Sequence, residues 1–217
     1  MQSRIVEPEL LHALPSDHPD ARHSRRDLRL INLLMGNHRW IARTVRTLVR
    51  PAERILELGA GGGDLVCRLW REGHPTDGLD LCPAPAELPA PARWWRHDLR
   101  QFTGYHHYDV IYSNLLLHQF TAEELSELGG RLRLRPRLLI ACEPARRRDA
   151  QWVFRRCCPL LGANHVTRHD GSISIAAGFL ADELPQQLNL NPDQWAWRCA
   201  ITPRGAYHMV AWRAHAP

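Results

Sequence analysis

The chain contains no lysine: all 28 of its Lys-or-Arg positions are arginine. A P-loop nucleotide hydrolase, a protein kinase built on its strand lysine and a Schiff-base enzyme all need that side chain, so those classes are excluded. Arg and Lys differ in codon content, and the bias reads as genomic base composition. Long apolar runs are missing too. Stretches such as Leu115 to Leu117 and Leu138 to Cys142 are far short of the roughly 20 residues that span a bilayer, and no membrane span is expected. The first residues, with Arg4, Glu7 and Pro8, offer no basic segment followed by a long apolar stretch. No secretory signal is expected, and a cytoplasmic address follows. The six cysteines, at 67, 82, 142, 157, 158 and 199, have no C-x-x-C spacing and read as reduced, mostly buried thiols.

What is present suits one globular unit. The 217 residues, 44% hydrophobic and 24% charged, can bury a full core and exclude disordered or collagen-like readings. A net charge of +5 permits contact with nucleic acid but is mild for a dedicated binder. Three arginine clusters, Arg22 with Arg25 and Arg26, Arg131 through Arg137, and Arg146 to Arg148, read as solvated surface.

Along the chain, Asp27 is expected to cap a first helix carrying Leu28, Ile31, Leu34 and Met35, which Gly36-Asn37 would stop. A second helix is expected from His38 to about Val49, ended by Pro51. The run ILEL, Ile55 to Leu58, reads as a strand that opens into Gly59-Ala60-Gly61-Gly62-Gly63 and then a helix. Further short strands are expected at Gly78 to Leu81, Arg93 to Arg96, from Tyr108 and from Leu138. Thr121 and Glu124 form a capping box that starts another helix. Four prolines between Cys82 and Ala92 make that stretch a loop or single turn. At the end, WAWRCAI and AYHMVAWRA flank Thr202-Pro203-Arg204-Gly205 and predict an antiparallel hairpin. Alternating strands and helices predict an α/β domain with a mostly parallel sheet.

In open α/β sheets the first strand-to-helix turn supplies the ligand site. Its glycines allow a sharp bend and let a ligand approach the backbone. The dinucleotide pattern G-x-G-x-x-G would need glycine at position 64, which is Asp64, and a carboxylate there would repel a pyrophosphate. The turn therefore suits a ligand without phosphates. Asp80 ends the next strand at a spacing close to the roughly 20 residues expected of a ribose-binding carboxylate. His97-Asp98-Leu99 ends the third, where a carboxylate can meet an exocyclic amine. The requirements describe a nucleoside with a cationic, phosphate-free tail.

E-x-G-x-G-x-G at Glu57 to Gly63, with Asp80, Asp98 and Asn114 each after a strand, resembles the cofactor motifs of class I S-adenosylmethionine-dependent methyltransferases. The resemblance implies a Rossmann-like sheet closed by the C-terminal hairpin, with a helical cap at 1–49, a cofactor half at 50–145 and a substrate lid plus hairpin at 146–217. It also implies S-adenosylmethionine as cofactor and S-adenosylhomocysteine as product. Glu57, Gly59, Ala60, Gly61 and Gly63 would line the amino-acid end, Asp80 and Leu81 the ribose, His97, Asp98 and Leu99 the adenine, and Asn114 and Leu115 the sulfonium. The Pro-rich segment departs from the family, which has a full helix there. The stretch Asn32 to Trp40 resembles the cap of quinone-biosynthesis methyltransferases, whose helix covers the cofactor, and His38 and Arg39 within it are expected to bind the substrate. NLLLHQF, CEPAR and HVTRHDGSISIAAGF look like a small bacterial group associated with polyketide or phenolic-lipid pathways.

Methyl transfer is an in-line displacement, and a base is needed only for a hydroxyl or carbon nucleophile. His118, four residues after the fourth strand, is the first candidate base; its other reading is a hydrogen-bonded structural histidine. His165, His169 and Asp170 form H-x-x-x-H-D, but Gly171 and the alternation of Ile173 and Ile175 favour a strand, and no third ligand supports a metal. The segment reads as a lid that turns His169 or Asp170 inward. Glu143 is expected at the pocket rim, or else as a solvent-exposed carboxylate or a partner of Arg146. The absence of a Pro-Pro-aromatic element after Asn114 disfavours base-directed chemistry, and Leu115 to Leu117 suit a small hydrophobic acceptor. The expected activity is methylation of a hydroxyl or carbon on an aromatic or polyketide-like metabolite by a monomer or homodimer. RNA methylation and a non-catalytic partner of the same fold are the alternatives.

Overall fold

The structure, a computed structural model, describes residues 3–15, 17–133 and 135–214; the outer ends of the cap and hairpin ranges given above lie outside them. Seven strands form one sheet in the order β3-β2-β1-β4-β5-β7-β6. They are β1 (Ile55–Leu58), β2 (Thr76–Asp80), β3 (Trp94–Arg96), β4 (Val110–Asn114), β5 (Leu138–Pro144), β6 (Trp195–Ile201) and β7 (Ala206–Arg213). The first five run parallel, and β7 lies antiparallel to both β5 and β6. This is the mostly parallel sheet with a C-terminal antiparallel hairpin that the sequence predicts.

Every residue of β1 and of β5 is buried. Strands covered on both faces read as continuous apolar runs, which explains ILEL and LLIAC. Successive residues feed two cores. Ile55, Val110, Tyr112, Leu138, Ile140 and Cys142 pack against Ile41 and Val45 of α3 (Asn37–Leu48) and Leu65 and Leu69 of α4 (Asp64–Arg71). Leu56, Leu58, Ile111 and Leu139 pack on the other side against Leu125, Leu128 and Leu132 of α5 (Ala122–Leu132), whose start carries the expected capping box.

Above the carboxyl ends of the strands sit α1 (Leu10–Ala13), α2 (Pro19–Met35), α6 (Arg148–Cys157) and α7 (His165–Ala177), with α1, α2 and α6 all packed on α7. Two expectations are corrected here. The first cap helix begins at Pro19, not after Asp27, because Pro19 occupies the first helical position and His18 accepts a hydrogen bond from Asp20 N–H. Asp27 is buried within the helix and accepts the Thr167 hydroxyl at 2.7 Å. Residues 165–177 are helical rather than extended: Asn164 caps the segment by accepting Thr167 N–H at 2.9 Å, and the Phe154 ring of α6 packs directly on Gly171. A local cap and a tertiary contact outweigh the alternation of two isoleucines. Among the described residues no helix is long and apolar enough to cross a membrane.

Where α5 crosses α8 (Glu183–Gln187) and the turn after it, a Cβ on Gly129 would lie 1.9 Å from the Leu188 carbonyl oxygen. A backbone atom cannot rotate away. Gly129→Ala should therefore destabilise the protein by about 1–3 kcal/mol, seen as a lower midpoint in chemical denaturation; an unchanged midpoint would show that the two elements separate freely.

Candidate functional site

The sheet order reverses between β1 and β4, and chains leaving these neighbours diverge to opposite faces, opening a crevice at their carboxyl ends. The turn after β1 lines it. Gly59 and Ala60 N–H both donate to the Leu79 carbonyl, at 2.9 and 3.2 Å. Gly59, Gly61 and Gly63 take φ of +65°, +54° and +73°, where a side chain is strained. A Cβ on Gly59 would strike Leu116 at 2.8 Å, and one on Gly63 would strike Pro85 at 2.7 Å. The Pro-rich segment thus packs against the turn. Around Gly61 and Gly62 a Cβ would meet nothing within 4 Å, so this is where the backbone stays open.

Asp80 binds that open strip. Its carboxylate accepts Gly61 N–H and Cys82 N–H, each at 2.7 Å. Leu81 beside it is 66% exposed. Glu57 is buried and accepts the Tyr112 hydroxyl at 3.0 Å. Burial, reinforced by the Asp80 and Asp64 carboxylates, pushes its pKa well above the ordinary carboxylate value. After β3 the expected residues separate. His97 is exposed and donates its N–H to the Asp80 carbonyl at 3.1 Å. Asp98 is gripped by Arg100, whose Nη2 lies 2.7 Å away and whose hydrogen bonds hold that carboxyl below its usual range. Leu99 points into the core with Phe102 and Tyr105. Its side chain is therefore spent on packing rather than on a ligand.

Asn114, at the end of β4, donates to Asn32 of α2 at 2.9 Å while its own Oδ1 is buried with no partner among the described residues. Leu115 follows in the left-handed region, φ +54°, and donates its N–H to the Cys142 carbonyl at 2.8 Å. Asn114, Cys142 and His208 are register partners across β4, β5 and β7. His208 stacks on Trp40 at 3.8 Å, and burial lowers its pKa to about 4, leaving a neutral ring whose Nε2 has no partner among the described residues. Asn37, at the start of α3, is fully buried, and neither amide atom has a partner there. In the sequence Asn37 marks only a helix stop and His208 only a hairpin strand, and neither is singled out as a site residue. His38 is half-buried near Asp64 and Arg68, with its pKa lowered by burial, and Arg39 is exposed.

Glu143 is neither exposed nor bound to Arg146. Its carboxylate is fully buried and accepts Leu117 N–H at 2.9 Å, Leu116 N–H at 3.2 Å and His118 N–H at 3.3 Å. Arg146, also buried, pairs with Glu183 instead. His118 is 3% exposed, with Nδ1 2.7 Å from Glu143 Oε2 and Nε2 3.3 Å from Glu9 Oε1. Carboxylates only accept, so both ring nitrogens donate and the ring is cationic. Burial opposes that charge, but the bonds to Glu143 and Glu9 outweigh it and raise the pKa to about 9. This corrects the expectation of a base, since no lone pair is left to take a proton. Glu9 was also missed, because its contact with His118 spans 109 residues.

His169 and Asp170 do not face the crevice. His169 lines an outer groove between α6 and α7 with Phe154, Arg155, Cys158 and His165. Asp170 accepts Leu10 N–H at 2.8 Å and Leu11 N–H at 2.9 Å, capping α1 from another helix. Among the described residues no three His, Cys, Asp or Glu side chains gather as a metal site.

No protein-family model matches the chain, and no curated protein does. Solved structures share its fold. One is the plantazolicin methyltransferase BpumL in complex with SAH, 14% identical over 94% of this chain and 93% of that one, with a TM-score of 0.71. A second is the plantazolicin methyltransferase BamL in complex with a triazolic desmethylPZN analog and SAH, 9% identical over 94% and 93%, TM-score 0.69. A third, described under the conversion of a disulfide bond into a thioacetal group during echinomycin biosynthesis, is 17% identical over 80% of each chain, TM-score 0.56. The fold is that of the class I methyltransferases.

The raised His118 pKa makes stability depend on pH with a definite sign. A group ordinarily near 6.5 and held at about 9 when folded stabilises fully below pH 6.5 and loses that contribution as pH rises through 9. The loss is on the order of a few kcal/mol. Melting temperatures should fall across this window in the native protein and much less in His118→Asn; parallel profiles would mean the ring is not charged.

Proposed function

We propose that this chain transfers a methyl group from S-adenosylmethionine to a hydroxyl or carbon of a small, aromatic or polyketide-like acceptor. The observation that carries this reading is the open strip at Gly61 and Gly62, with Asp80 already hydrogen-bonded to it and Glu57 beneath the same turn. The residues present fit that cofactor. Asp64 and Asp80 give the turn an acidic rim that favours a cation and disfavours phosphate. When bound, the cofactor supplies an electrophilic methyl carbon on a sulfonium.

In this reading Asp80 exchanges its bond to Gly61 for the two ribose hydroxyls, and exposed Leu81 gains a flat partner for its side chain. Glu57 and the turn hold the amino-acid end. Asn114 and Leu115 border the methyl group, and α2 of the cap closes over them through the Asn32–Asn114 bond. The charged ring of His118 cannot serve as base, so the contribution of the protein is alignment, which is worth roughly 7 to 11 kcal/mol for well-oriented groups. His38 stands by the turn. Support for a small acceptor over RNA comes from the arginines themselves: Arg100, Arg135, Arg137, Arg146 and Arg147 are all ion-paired within the chain. A nucleic-acid surface needs such charges free for phosphates.

Asp80→Ala should weaken S-adenosylhomocysteine binding ten- to hundredfold, about 1.4 to 2.8 kcal/mol, by titration calorimetry. Unchanged affinity would remove Asp80 from the ribose role, and a native protein that binds NAD or ATP in its place would overturn the reading as a whole.

A further inference from the structure

The segment between β4 and α5 carries Leu115 in a strained left-handed conformation, φ +54°, and such a residue persists only when its surroundings over-determine it. Here one buried carboxylate does so. Glu143 binds the N–H groups of Leu116, Leu117 and His118, takes the Ser113 hydroxyl at 3.5 Å and pairs with the His118 ring. An anion with no solvent contact needs a counter-charge, and the imidazolium provides it. The second N–H of that ring would then be orphaned; Glu9, from the segment preceding α1, accepts it. Glu9 is in turn fixed by Gln119 Nε2 at 3.0 Å and by the Ser174 hydroxyl of α7 at 2.8 Å. Arg4, on the same N-terminal segment, donates to the carbonyls of His118 and Phe120 at 3.1 and 3.0 Å and lies over the Phe179 ring at 4.2 Å.

We propose that Glu9, His118 and Glu143 are positioning residues for methyl transfer: together they fix the Asn114–Leu117 backbone that borders the methyl group, and the N-terminal segment completes the arrangement by supplying Glu9. The proposal rests on the methyltransferase reading. None of the three touches the reacting atoms. Their effect passes through the backbone N–H groups held by Glu143, so the site is properly shaped only while 3–9 is docked. The other charged groups around the ring are accounted for: Arg4 faces the His118 carbonyl, Arg146 and Glu183 lie beside Arg4, and Asp170 of α7 is occupied by the start of α1.

The test uses the full chain, S-adenosylhomocysteine as probe, and nitrogen-15 NMR of the His118 ring. In the native protein the ring should titrate near pH 9, with both nitrogens protonated at pH 7. Glu9→Gln should weaken S-adenosylhomocysteine binding at pH 7 by about threefold or more and move both the ring titration and the alkaline fall in affinity down by about one pH unit or more. Glu143→Gln, whose amide must face backbone donors, should lose at least tenfold in affinity at an otherwise native circular-dichroism spectrum. If Glu143→Gln does not fold, Glu9→Gln decides alone. A ring titrating near 6.5, or an affinity profile that Glu9→Gln leaves unmoved, overturns the positioning role even if the probe binds. Should the native protein fail to bind the probe at all, the methyltransferase reading falls and takes this role with it, and the native-protein arm makes that case distinct.

Discussion

Everything at the candidate site depends on how β1 and β4 pair. They are parallel neighbours in register from Ile55↔Val110 to Leu58↔Ser113, yet their onward connections leave to opposite faces of the sheet. Neither connection can cross the top of the other, so a crevice is unavoidable at their carboxyl ends. Its shape is set by close approach. Leu116, from the segment after β4, sits where a Cβ of Gly59 would be, and Pro85, from the segment after β2, sits where a Cβ of Gly63 would be. Three loops are thus interlocked at glycine positions, and the crevice is what remains between them.

A second constraint is charge. An arginine-only chain must place many guanidinium groups that never lose their proton. Here several are committed to carboxylates: Arg100 bridges Asp98 and Glu124, Arg137 holds Glu53 beside the start of β1, and buried Arg146 holds Glu183. These pairs fasten the periphery of the sheet and the segment that leads from β5 into α6. At the crevice a guanidinium is spent on backbone instead: Arg96 donates to the Leu81 carbonyl at 3.1 Å, beside Asp80.

The sheet, its hairpin, the glycine turn, the capping box and the Pro-rich loop were legible in the sequence, because each rests on local chemistry: apolar runs, positive φ, a side chain bonding its own backbone three residues away, missing N–H groups. Local signals failed where a distant contact decided. Asp27 looked like a cap and is a buried acceptor for Thr167; Ile173 and Ile175 looked extended and belong to a helix packed on Phe154; Leu99 stood beside a plausible adenine ligand and turned into the core. Glu9 and His118 are more than a hundred residues apart, and only the fold brings them together. Asn37 was legible only as part of a helix stop and His208 only as part of a hairpin strand, since whether a buried amide or imidazole finds a partner is decided by what surrounds it.

On the proposed reading, this division bears on the chemistry. With His118 cationic and Glu143 saturated by donors, the polar atoms left without partners at this corner among the described residues are uncharged: the Asn37 amide, Asn114 Oδ1 and neutral His208 Nε2. Neutral groups recognise an acceptor through hydrogen bonds and shape, and they offer little driving force for removing a proton. Alignment and general-base help are separable contributions, worth roughly 7 to 11 kcal/mol and about 10² to 10⁴ in rate respectively. A site that keeps the first and lacks the second favours acceptors whose nucleophile is already competent at neutral pH, such as an acidic phenol or an activated carbon, over an ordinary alcohol. The buried charge of the Glu9–His118–Glu143 arrangement is then used to hold backbone in place rather than to move protons.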